Sequence, residues 1–145
     1  MAELQIQATG HTLSFSDYAA LKPATKQALH VGGGSMDYND WLLPFVLHIL
    51  VTKTEANKKN PEILTNLAPS DFSVSYLAGR RWKSCQILEV GSRSPKRGIG
   101  LKVIVAVAPP HTHDDIAGPE WLFSVTVTQR KLSSDIQIVK VVDIN

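Results

Sequence analysis

Cysteine is almost missing: Cys85 stands alone among 145 residues. A lone thiol excludes an internal disulfide framework and fits a reducing compartment. Long apolar runs are missing too. The longest, "WLLPFVLHILV" at 41–51, contains Pro44 and His48 and falls short of the roughly 20 residues a membrane-spanning helix needs. "MAELQIQATG" has neither a basic nor an apolar leader region, so no secretory signal is expected. Catalytic signatures are equally scarce. There is no G-x-S-x-G, and the glycine run "HVGGGSMD" lacks the lysine and spacing of a phosphate-binding loop; it reads as a flexible break. Cys85, within "SCQILEV", reads as a small core residue, since a nucleophilic thiol needs a histidine or a cationic setting. The expectation is a protein without enzymatic activity or cofactor.

What is present is ordinary globular composition, 43% hydrophobic and 19% charged, consistent with one domain over residues 1–145. "ELQIQA" alternates as a half-buried strand. Ser16 or Asp17 is placed to cap a helix that Pro23 interrupts or restarts. Trp41, Phe45 and Ile49 form a stripe at helical spacing, so a second helix is expected over 41–53, a buried strand being the alternative. Residues 54–71 read as a loop with one helical turn. From residue 72 the period becomes two in "FSVSYL", "KSCQILEV", "IGLKVIVAV", "WLFSVTVT" and "DIQIVKVVDI". Helices first and strands after predict an α+β fold, with N-terminal helices packed on a mainly antiparallel sheet of about five strands.

The net charge is only +2, yet cations cluster. Arg80, Arg81, Lys83, Arg93, Lys96, Arg97 and Lys102 face a single acid, Glu89, between residues 80 and 102. Trp82 adds an amphipathic ring suited to a membrane interface or a nucleic-acid base. Arg80, Arg81, Trp82, Lys83, Arg93, Lys96 and Arg97 are the candidate binding residues for an anionic membrane or nucleic acid; the bland reading is a solvated face. "HTHDD" at 111–115 is the lone cluster of metal-ligand types, with His111, His113 and Asp114 as candidates. Two histidines leave zinc's four positions unfilled, so no metal is expected there.

The order of "FSDYAAL", "FVLHIL", "RGIGLKVIVAV" and "WLFSVTVTQRKLSSDIQIVKVVDI" resembles the core of matrix proteins from rhabdoviruses and related negative-strand RNA viruses. A lysine-rich arm and a proline-rich late-budding motif, usual in that group, do not occur. The resemblance implies a structural protein of the virion, lying beneath its membrane and at the inner face of the host membrane from the cytoplasm. It would associate with itself and link anionic membrane to nucleocapsid. A nucleic-acid-binding module using the same cations is the alternative, and a small metal protein at His111 and His113 the third.

Overall fold

Alternating apolar and polar positions govern more of the chain than the segments after residue 72. A computed structural model describes residues 2–29, 43–57, 59–78, 80–92, 100–107 and 120–142. Of these, 62% are strand and 14% helical. The α+β expectation is therefore overturned. The fold is mostly β, built as two antiparallel sheets of five strands each.

The first sheet runs β1 (Glu3–Thr12), β2 (Leu43–Thr54), β7 (Leu101–Val107), β6 (Gln86–Ser92), with β3 (Glu62–Ile63) also on β2. The second runs β10 (Gln137–Val142), β8 (Glu120–Gln129), β4 (Phe72–Ala78), β5 (Arg81–Ser84), with β9 (Leu132–Ser133) on β8. Inward-facing residues of both sheets share one core. Leu47, Ile49, Val103 and Val105 come from the first, and Tyr76, Phe123, Val125 and Val141 from the second.

The expected helix over 41–53 is corrected where it is described: residues 43–54 are the strand β2. The misleading stripe has a simple cause. A spacing of four is even, so Phe45 and Ile49 share a strand face as readily as a helix face. β2 lies between β1 and β7. Phe45, Leu47, Ile49 and Val51 enter the main core, and Val46 joins a smaller cluster on the opposite face. At about 1.5–3 kcal/mol per fully buried large apolar side chain, burial on both faces favours the central strand, and β-branched Val46, Ile49 and Val51 suit it.

The helices are small. α1 (Phe15–Ala19) is capped by Ser14, not by Ser16 or Asp17. The Ser14 hydroxyl accepts from the Asp17 N–H at 3.2 Å, and the Asp17 carboxylate accepts from the Ser14 N–H at 3.2 Å. Pro23 opens α2 (Pro23–Leu29), where its missing donor costs nothing. Tyr18, Leu21 and Leu29 cover Val46 and Ile104 on the outer face of the first sheet.

A bulge in β6 fits this cover to the sheet. The pairing register shifts between Ile87 and Glu89. Ile87 and Val90 consequently both face the main core while Leu88 joins the outer cluster. Glu89 then meets the start of α2, accepting from the Lys22 N–H at 2.9 Å and the Thr25 hydroxyl at 2.8 Å.

The two sides of the sandwich close differently. On one side a single residue, Cys85, separates β5 of the second sheet from β6 of the first, and its N–H donates to the Val74 carbonyl at 2.8 Å. On the other side β1 packs beside β10. At Gly10 the packing is tight: an added Cβ would lie 2.7 Å from Leu47 Cδ2 of β2 and 2.9 Å from Val141 Cγ2 of β10.

Candidate anionic-surface interface and a buried histidine pair

The structure gathers four of the seven candidate residues. Among the described residues β5 pairs with β4 alone, setting Trp82 opposite Leu77, Lys83 opposite Tyr76 and Arg81 opposite Ala78. It is thus the edge of its sheet, and all four of its residues are exposed. Opposed residues point to the same face, so Trp82 stands on the outer face with Leu77 while Arg81 and Lys83 flank it on the other. Arg80 is exposed in the turn just before. Trp82 leaves 47% of its surface in solvent.

Arg93, Lys96 and Arg97 lie outside the described residues, as do His111, His113, Asp114 and the glycine run at 32–34. Lys102 departs from the basic cluster altogether. It projects from the outer face of the first sheet, its ammonium 3.1 Å from the Asp17 carboxylate. Among the described residues no group of three or more His, Cys, Asp or Glu side chains is placed to hold a metal. Burial pushes the Cys85 thiol up to about 12, which removes the thiolate a nucleophile requires. No helix among the described residues is long and apolar enough to cross a membrane.

An open groove of about 540 Å³ lies between β1 and the start of β10, walled by Leu4, Ile6, Leu50 and Ile136 and rimmed by Glu3 and Asp135. Ile136 and Ile138 beside it are 68% and 52% exposed.

Sequence reasoning missed a second polar cluster. In the β1–β2 ladder His48 sits opposite Thr9, and His11 opposite Val46, so the two imidazoles are diagonal neighbours on the outer face. Their Nε2 atoms are 2.8 Å apart and their ring centroids 4.9 Å. His48 is buried at 5% exposure. The His11 Nδ1 lies 2.8 Å from the Thr12 carbonyl and 3.8 Å from the Asp17 carboxylate. Burial pushes the Asp17 carboxyl upward, but hydrogen bonds from the Ser14 side chain and backbone and from Lys102 outweigh it and hold it below its ordinary range. The available signal was His48 itself, a polar residue inside an apolar run. Its partner is specified only by strand register. Comparison with protein-family models, with curated proteins and with solved structures finds no match to this chain.

Proposed function

We propose that the chain is a non-enzymatic assembly protein that attaches to an anionic membrane surface through the β5 edge and associates with copies of itself, in the manner of a viral matrix protein. The observation that carries this reading is the wholly exposed Arg-Trp-Lys-Ser edge strand with Arg80 beside it. At about 1 kcal/mol per cation near an anionic leaflet, Arg80, Arg81 and Lys83 contribute about 3 kcal/mol, and Trp82 adds a ring of the kind that settles at headgroup level. Among the described residues β5 pairs with β4 alone, which supports self-association, since an unpaired strand edge is a template for further pairing.

Co-sedimentation with phosphatidylserine–phosphatidylcholine vesicles tests the attachment. Binding should rise with the phosphatidylserine fraction and fall with salt. Replacing Arg80, Arg81 and Lys83 with serine should weaken it about 100-fold, the equivalent of roughly 3 kcal/mol. Equal binding by the triple variant, or indifference to phosphatidylserine, refutes the membrane reading. Retention on single-stranded RNA without retention on vesicles reassigns the edge to nucleic acid.

A further inference from the structure

The two end strands of the second sheet run in opposite directions. β5 is antiparallel to β4, β4 to β8 and β8 to β10, so three reversals leave β5 antiparallel to β10. Two copies of the chain set side by side in one orientation therefore bring β5 of one against β10 of the next as an ordinary antiparallel pair. Among the described residues β5 pairs with β4 alone and β10 with β8 alone. β1 closes on β10 at Gly10 and Val141. At the start of β10 the groove of about 540 Å³ lies between them instead, and there the edge is open to a further strand.

The side chains of the two edges are complementary. Val139 and Val141 enter the core, so Ile138 of β10 points to the outer face, as Trp82 of β5 does. Both are large apolar side chains left exposed, and edge pairing sets Trp82 of one copy on the same face as Ile138 of the next. Arg81 and Lys83 turn to the opposite face of β5, toward a groove rimmed by Glu3 and Asp135. Both acids are exposed, and neither is in an ion pair among the described residues. Like charges set opposite one another destabilise a strand pair. Pairing β5 with β5 would oppose the cations to each other, and pairing groove with groove would oppose the acids. The unlike pairing joins opposite charges.

We propose that the chain assembles head to tail, the β5 edge of one copy entering the groove beside β10 of the next and continuing the second sheet from copy to copy. The partner is a second copy of this chain, and the contact is heterologous. A dimer leaves one β5 and one groove unfilled, so the assembly grows as an open row or closes as a ring. This inference rests on the self-association proposed above and names the two surfaces that carry it.

Sedimentation velocity of the whole chain at low salt is the test. The parent should form species larger than a dimer, their mean mass rising with protein concentration and falling with added salt. An edge variant, Arg81→Ser/Trp82→Ser/Lys83→Ser, and a groove variant, Glu3→Lys/Asp135→Lys, should each sediment alone as a monomer. Mixed in equal amounts, the two should form a one-to-one dimer and nothing larger, because each supplies the surface the other has lost. All five positions are exposed, so the fold should survive, with circular dichroism as the check. A groove variant that fails the check is replaced by Glu3→Gln/Asp135→Asn. Assembly that persists in either variant alone, or a mixture that stays monomeric, overturns the head-to-tail contact while self-association of the parent stands. A monomeric parent overturns both. Vesicle co-sedimentation reads the membrane attachment separately.

Discussion

Gly10→Ala probes a tight contact between the two sheets. The backbone there is not left-handed, so alanine meets no conformational strain of its own. Its Cβ would, however, sit 2.7 Å from Leu47 Cδ2, 2.9 Å from Val141 Cγ2 and 3.3 Å from the Val46 carbonyl oxygen. Leu47 and Val141 are both fully buried, and a valine methyl cannot swing away without leaving its preferred rotamer. Overpacking of this kind costs about 1–3 kcal/mol. Against it stands about 0.4–1 kcal/mol from restricting the unfolded chain. The net expectation is a loss of about 1–2 kcal/mol, or a melting temperature lower by about 4–8 °C for a chain of this size. Gly91→Ala is the matched control, because nothing lies within 4 Å of its Cβ position; it should be neutral or slightly stabilising. Adding Val141→Ala to Gly10→Ala should recover part of the packing loss, giving a favourable coupling in a double-mutant cycle. Thermal and urea unfolding measure the parent, the three single variants and the double variant. If Gly10→Ala is as benign as Gly91→Ala, the two strands do not meet at this point and the closure of the sandwich is wrong.

Two further outcomes are expected. Asp17 is held below its ordinary range, so its contribution to stability is fully present above the unfolded carboxylate value of about 3.9 and is lost as pH falls through the lower folded value; Asp17→Asn should cost about 1 kcal/mol at neutral pH and flatten the urea-midpoint profile below about pH 4. Arg130, in the turn between β8 and β9, has φ 57°, which a non-glycine residue adopts at a cost, so Arg130→Gly should raise stability by about 0.5–1 kcal/mol in the same unfolding assay.

Legibility in the sequence followed burial. β4 and β8 alternate cleanly because each has one apolar set facing the shared core, and they were readable at once; β7 was read as a strand although Ile104 is buried on its outer face as well. β2 was not, because a strand covered on both faces loses its alternation and leaves an apolar run that a helix explains equally well. Calling it a helix also hid His48, whose neighbour across the ladder, 37 residues away, is set by register. The β6 bulge was hidden for another reason. In "QILEV" strict alternation sends Glu89 into the core, and one slipped residue is what turns it toward α2. The cations of the β5 edge were legible, since "RRWK" is charged at three of its four positions; its place at a sheet edge was not. Lys102 was swept into the basic cluster because proximity along the chain said nothing of the sheet face it would occupy.

The passage of one strand from the second sheet to the first at Cys85 makes that side of the sandwich a spine. Its two leaves cannot part there without breaking the chain's own path. The opposite side, where β1 and β10 are held by side-chain packing around Gly10 and Val141, is the fore-edge. Local opening is expected to begin at that margin, so amide exchange at Leu4 and Ile6 should be faster than at Phe72 and Val74.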